Sequence, residues 1–304
     1  MLPSDARPRR RLLIIHNRIA GMRRRWLLRH VCRELEAAGA ELSILPADSF
    51  EADRSLAEKA LASGTWHAVI AAGGDSTVRG VGAGLLGSGL PLGIIPIGTG
   101  NVLAHEIGFR SGPRTIAHNL MHGPSLPILG GQANGACFFA MAGVGFDARV
   151  LARLDLAWKR RLGKFAYALP LTHELLSRPQ PFEVEIDGEA HLCSWLIVAK
   201  AARYAGPFLL TRQRTIHTDG FHAVIVRARS RASVLAVALA IAAGRLEDHP
   251  QVKVTPCRRV AIPGRPGVLV QLDGEVFGPA PVEIAPADQA LHVIVRASSG
   301  SAIA

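Results

Sequence analysis

The stretch VIAAGGDSTVRGVGAGLL, Val69 to Leu86, runs from a short apolar strand through two glycines and an aspartate straight into a helical pattern. Gly73 and Gly74 at the strand end let the backbone take positive φ and approach a ligand without a Cβ in the way. The first amides of the helix that follows, around Ser76 to Val78, have no intrahelical partner. Together with the helix dipole they favour an anion such as phosphate. Asp75 reads two ways, as the cap of that helix or as a carboxylate offered to a magnesium ion or a nucleotide. Ser76 stands where a third glycine would serve a left-handed turn; placed in the first helical turn, it needs none.

A second segment repeats the arrangement. PLGIIPIGTGN, Pro91 to Asn101, is an apolar strand, then Gly98-Thr99-Gly100, then a helix expected from Asn101. Two such loops at adjacent strand ends face one crevice and cradle a polyphosphate. The chain has no GxxxxGK[ST], so this is not a P-loop.

Around these loops the first third alternates strand and helix signals. RLLIIHN is a strand, Met22 to Ala38 a helix, AELSILPA a strand and Ser55 to Ser63 a helix. WHAVIAAGG is the third strand, Thr77 to Leu86 a helix, and LPLGIIPIG the fourth strand. The pattern predicts a parallel sheet covered on both faces, with ligands at the carboxyl ends of its strands. After about residue 125 the chain changes to short, partly alternating strands broken by Gly, Pro and Asp-Gly turns, which predicts an antiparallel sandwich. Helical stretches are expected at Leu151 to Ser177 and Ala232 to Gly244.

Composition sets the frame. The 304 residues are 49% hydrophobic and 19% charged, a globular balance with a net charge of +11. The charge points to anionic partners: nucleotide phosphates, an acidic membrane surface or nucleic acid. No nucleic-acid recognition motif is present, and nucleic acid is not an expected partner. Cys32, Cys137, Cys193 and Cys257 are scattered, which speaks for a reducing compartment and against structural zinc. The basic N-terminal run has too short an apolar core for a signal peptide. Val234 to Ala243, the longest apolar segment, is about half of a spanning length and reads as a buried helix.

The motifs together resemble the diacylglycerol kinase and sphingosine kinase superfamily of lipid kinases. Its bacterial soluble members have a Gly-Gly-Asp-Gly-Thr turn followed by a Pro-x-Gly-Thr-x-Asn turn. Here these read Gly73-Gly74-Asp75-Ser76-Thr77 and Pro96-Ile97-Gly98-Thr99-Gly100-Asn101. The likeness continues in order through MAGVGFDARV (Met141 to Val150), KRRLGKFAYAL (Lys159 to Leu169), YAGPFLLTRQRTIHTDGFHAVIV and LDGEVF (Leu272 to Phe277). It implies an α/β nucleotide-binding domain, like that of NAD kinase, over residues 1–125, and a C-terminal antiparallel β-sandwich lipid-substrate domain over 126–289. The last strand, about 290–297, is expected to return to the first domain. The implied active site lies in the cleft between the two.

The resemblance also implies roles. ATP is expected on Gly73, Gly74, Asp75, Ser76, Thr77, Gly98, Thr99, Gly100, Asn101 and, from the first loop, Asn17. Asp75 and Asp219 are the expected magnesium ligands. Glu275 is the expected general base toward a lipid hydroxyl, with Asp273 its orienting or metal-linked partner and Asp75 part of the catalytic set. Locally, Asp273-Gly274-Glu275 is indistinguishable from Asp187-Gly188-Glu189, and a tight hairpin turn explains either; the resemblance selects the later one. The chain departs from the family pattern at Ser76, at Arg18 and Val102, and at Ile128, which stands where the family has a second-site acid. The basic runs Lys159-Arg160-Arg161 with Lys164, Arg7 with Arg9 to Arg11, and Arg23 to Arg25 read either as solvated faces or as contacts to anionic headgroups. The reading is a cytoplasmic, peripherally membrane-associated lipid kinase using ATP and Mg2+, with a homodimer left open. The alternatives are an NAD kinase and a catalytically silent nucleotide- or lipid-binding protein.

Overall fold

The computed structural model describes residues 8–18, 24–109, 112–155, 158, 163–206, 208–212 and 216–296, apart from the Lys164 side chain. The chain divides into two compact units, residues 1–128 with 289–304, and residues 129–288.

The first unit is a parallel sheet between helices. Its elements are β1 (Arg11–Asn17), α1 (Arg25–Ala37), β2 (Glu41–Ala47), α2 (Phe50–Ser63), β3 (Ala68–Gly73), α3 (Asp75–Leu85), β4 (Leu92–Pro96), α4 (Val102–Glu106) and α5 (Pro113–His122). The strands pair in the order β2-β1-β3-β4, all parallel. Leu12 to Ile15, Ala68 to Ala72 and Ile94 to Ile95 are buried throughout, as continuous apolar runs covered on both faces should be. At the far edge Val293, near the chain's end, pairs in parallel with Leu92.

Local chemistry sets the helix limits. The Ser49 hydroxyl accepts the Ala52 N–H at 3.2 Å, so α2 starts five residues before the apolar pattern suggests, and Gly64 at φ +62 ends it. Helix α3 begins at Asp75, two residues early, with Gly74 as its extended N-cap. Its Gly80 and Gly84 lie so close to Asp53 and Ala57 of α2 that an added Cβ would fall within 2.8 Å of them. Arg9, which the sequence leaves open as a solvated residue or a headgroup contact, donates from Nη1 to the carbonyls of Gly123 and Leu120 at the C-terminus of α5, a favourable place for a cation.

The second unit is a sandwich. Its elements are β5 (Ser125–Ala133), which begins in the first unit, β6 (Ala136–Phe138), β7 (Met141–Gly145), α6 (Phe146–Ala152), α7 (Ala168–Leu176), β8 (Phe182–Ile186), β9 (Glu189–Cys193), β10 (Trp195–Ala199), β11 (Arg203–Tyr204) and β12 (Phe208–Leu209). They continue with β13 (Phe221–Val226), α8 (Arg231–Ala242), β14 (Val252–Cys257), β15 (Val260–Ile262), β16 (Leu269–Leu272), β17 (Glu275–Pro279) and β18 (Val282–Ile294), whose last residues belong to the first unit. One antiparallel sheet runs β14-β13-β10-β7-β16-β17. The second holds β9, β8, β15 and the start of β18. Phe138, Val144, Phe182, Leu196, Phe221 and Ile284 are among the residues of the buried layer between them.

Two expectations change here. The helix expected over Leu151 to Ser177 is broken: α6 stops at Ala152, and a 3-10 turn at Gly163–Tyr167, opened by Gly163 at φ +60, leads into α7. The apolar helix α8 is not fully buried. Val234, Val237 and Ile241 face inward, while Leu235 and Leu239 face solvent. Among the described residues no helix is long and apolar enough to cross a membrane.

Candidate active site

In the first unit the two glycine turns form one structure. Strands β3 and β4 place Gly73 opposite Pro96 in register, and the Gly98 N–H donates to the Gly73 carbonyl at 3.0 Å. A Cβ on Gly98 would fall 2.2 Å from Gly74 Cα, and one on Gly73 would fall 2.3 Å from the Thr77 hydroxyl. Glycine is required at both places by close approach rather than by φ.

Asp75 joins the turns. It does not cap its own helix. Its Oδ1 accepts the Val102 N–H at 2.6 Å, the first amide of α4, while its Oδ2 leaves no room for a Cβ on Gly100. Asn101 is the N-cap of α4 in the left-handed region, φ 53, which asparagine tolerates better than most residues. Its amide donates to the Gly98 carbonyl at 2.8 Å, holding the Gly98-Thr99-Gly100 loop in shape. Ser76 is the second residue of α3, is not among the positive-φ residues, and so costs no backbone strain. Val102 is buried and its N–H is what Asp75 holds, so its side chain does not enter that bond.

Asn17 closes β1 at the same, carboxyl, end of the sheet. Arg24, which the sequence leaves open as a solvated residue or a headgroup contact, donates from Nη1 to the Pro96 carbonyl at 3.3 Å, beside the second turn. Arg25 donates to the Arg18 carbonyl at 3.2 Å. Sequence reasoning missed that Arg24 brings a cation to these turns. Arg7 and Arg23, and Lys159-Arg160-Arg161, lie outside the described residues, as does the Lys164 side chain.

In the second unit, Asp273 and Gly274 are the two turn residues of the β16–β17 hairpin, at φ 48 and 86, the signs a tight type I′ turn requires. Asp273 is buried. Its carboxylate accepts three backbone N–H groups, from Phe139 at 2.7 Å, Ala140 at 2.8 Å and Met141 at 2.9 Å. The carboxylate thus anchors the turn to the segment before β7. The half-buried Glu275 is the first residue of β17, directly after the turn.

A third layer supports that turn, and the sequence reading assigned it no role. The Gln271 Oε1 accepts the Gly274 N–H at 2.8 Å, and its Nε2 donates to Asp147 Oδ2 at 3.2 Å. Asp147 is buried at the start of α6, and burial pushes its carboxyl up to about 7, against the partial pull of the Gln271 hydrogen bond. One signal was available: Gln271 is a polar residue at a buried position between Val270 and Leu272.

Asp219 lies apart from this cluster in hydrogen bonding. Its exposed carboxylate pairs with Arg258 Nη2 at 2.7 Å, and buried Lys200 holds the flanking Thr218 and Gly220 carbonyls. Ile128 is fully buried in β5, where it offers packing and no ligand atom. Among the described residues no group of three or more His, Cys, Asp or Glu side chains gathers as a metal site.

Comparison with known proteins gives a consistent picture. Residues 11–133 match the diacylglycerol kinase catalytic domain, and residues 140–295 match the YegS C-terminal NAD kinase beta sandwich-like domain. The chain is 32% identical over 264 residues to a Mycobacterium tuberculosis protein named diacylglycerol kinase, covering 83% of this chain and 84% of that one. A Bacillus subtilis protein of the same name is 30% identical over 275 residues, covering 88% and 90%. A crystal structure of a diacylglycerol kinase from Bacillus anthracis shares the fold with a TM-score of 0.73 at 20% identity, covering 96% of this chain and 98% of that one.

Proposed function

This chain belongs to the diacylglycerol kinase family, and on that premise we propose that it transfers the γ-phosphoryl group of ATP to a hydroxyl of a diacylglycerol-like or sphingoid-like lipid. The observation that carries this reading is the locked pair of glycine turns, joined by Gly98 to Gly73 and by Asp75 to Val102. Phosphoryl transfer asks a protein mainly for positioning and for neutralisation of phosphate charge. The first-turn amides of α3, the Ser76 and Thr99 hydroxyls, Asn101 and the Arg24 guanidinium supply donors and charge for phosphate, with Asn17 at the edge of the same strand end.

Asp75 also suits magnesium, which takes one or two carboxylates and completes its shell with nucleotide phosphates and water. Bound there, the ion would neutralise phosphate charge. Glu275 accepts the proton of the lipid hydroxyl as its oxygen bonds to the γ-phosphorus and ADP leaves. Asp273 is a positioning residue, holding the turn from which Glu275 extends. Asp219, whose carboxylate faces Arg258, is the second candidate magnesium ligand. The net charge of +11 fits peripheral work at an acidic bilayer from the cytoplasmic side.

The test is incubation of pure protein with ATP, Mg2+ and either extracted lipids or NAD, read by mass spectrometry. A phosphorylated lipid is expected. Phosphorylated NAD alone would replace this reading with an NAD kinase, and no product from either would leave a silent binding protein.

A further inference from the structure

We propose that the outer face of α7 and α8 is a docking surface for an anionic lipid bilayer, made of residues other than those of the phosphate turns and the Glu275 turn. Both helices lie in the second unit and pack against each other. Each turns leucines to solvent: Leu169 is 74% exposed and Leu176 63% on α7, Leu235 47% and Leu239 61% on α8. Phe165, in the turn leading into α7, is 74% exposed.

A helix apolar on all sides is normally covered on all sides. After Ser233, α8 has no polar side chain, yet Leu235 and Leu239, four residues apart, form an uncovered row.

Charge selects the occupant. The acids on and beside these helices are already paired: Glu174 of α7 is buried against Arg149 and Arg153, and Glu247 and Asp248 beyond α8 face Arg212. Arg229, Arg231, Arg245 and Arg178 are exposed at the ends of the two helices. Arg231 opens α8 at its N-terminus, where the helix dipole disfavours a cation, so its placement does not serve the helix. Leucines between arginine-bearing ends match a bilayer, with apolar chains at the centre and anionic headgroups around them. Two copies of this face would set arginine against arginine, which disfavours self-association.

This inference rests on the lipid kinase reading, because an enzyme acting on a bilayer lipid must reach it from the surface. The experiment is flotation of the full chain with vesicles of phosphatidylcholine, alone or with about one-third phosphatidylglycerol. The protein is expected to float with the anionic vesicles and to lose that binding as salt rises. Leu235→Glu with Leu239→Glu, and Leu169→Glu with Leu176→Glu, should each weaken binding by about tenfold or more. Arg229→Glu with Arg231→Glu should weaken it and flatten the salt dependence.

Thermal midpoints and turnover on detergent-dispersed diacylglycerol, expected to stay at the wild-type level, show that the variants fold. Leucine variants that float as well as the wild type would overturn the proposal. So would variants that only split a dimer, or a wild type that ignores anionic vesicles while phosphorylating dispersed lipid; that last result leaves the kinase reading intact. Vesicle binding that the leucine variants lose, with no turnover of any lipid, would sink the kinase reading and support the docking face.

Discussion

Asp187-Gly188-Glu189 and Asp273-Gly274-Glu275 are the same three residues in the same kind of hairpin. Both aspartates have positive φ, 49 and 48, and both glycines do too, 89 and 86. Both aspartate carboxylates accept backbone N–H groups. Asp187 takes those of Arg258 and Arg259 on an exposed edge, whereas Asp273 takes three in the interior. Two residues before Asp187 stands exposed Glu185; two before Asp273 stands buried Gln271, tied to Asp147. The local turn is thus a commodity of the sequence, and what it is fastened to separates a surface hairpin from a candidate catalytic one.

The strongest way to break this comparison is to remove each anchor. Asp273→Ala strands three buried amides and is expected to destabilise the protein by about 4 kcal/mol, against about 1 kcal/mol for Asp187→Ala, measured by urea unfolding. Equal losses would erase the distinction.

The Asp147 carboxyl supplies a pH signature that the Asp187 turn lacks. Its folded pKa, raised to about 7 by burial, means the folded state holds a proton that the unfolded state releases near pH 4. The associated stability is complete below about pH 4 and is lost as pH rises through about 7. Thermal midpoints of Asp147→Asn should show no such decline between these values, so the gap between variant and wild type should change across that window.

Gln271→Leu unties the Gly274 amide and should lower kcat about tenfold through a displaced Glu275, with KM for ATP nearly unchanged. Glu185→Ala, its counterpart, should leave kcat alone. The smallest effect is expected away from both hairpins: Ser76→Gly should change nucleotide affinity by less than about threefold, because Ser76 already has helical backbone. A large gain would mean that this position works in a left-handed conformation.

The parallel sheet and the sandwich were legible because burial on two faces writes continuous apolar runs, and Asp-Gly and Gly-rich breaks mark the turns. Both glycine turns stood out for the same reason. Interactions across long sequence separations were not legible. That Asp75 holds Val102, 27 residues on, rather than capping its own helix, depends on how β3 and β4 pair. β14 and β15 are two residues apart yet enter different sheets, with Arg258 and Arg259 donating their amides to Asp187 at the bend between them. Arg24 looked like its neighbours in a basic run, and only the fold sets it beside Pro96. The exposure of Leu235 and Leu239 was equally hidden, since an apolar helix reads as core wherever it lies.

The claim that Glu275, and not its twin Glu189, does the chemistry has a direct test. Pure wild type, Glu275→Gln and Glu189→Gln are given ATP, Mg2+ and diacylglycerol, with nucleotide affinity measured in parallel. Glu275→Gln is expected to lose about a thousandfold in turnover while binding ATP almost as well as the wild type, and Glu189→Gln to be unchanged. Turnover by Glu275→Gln within a few-fold of the wild type would contradict it.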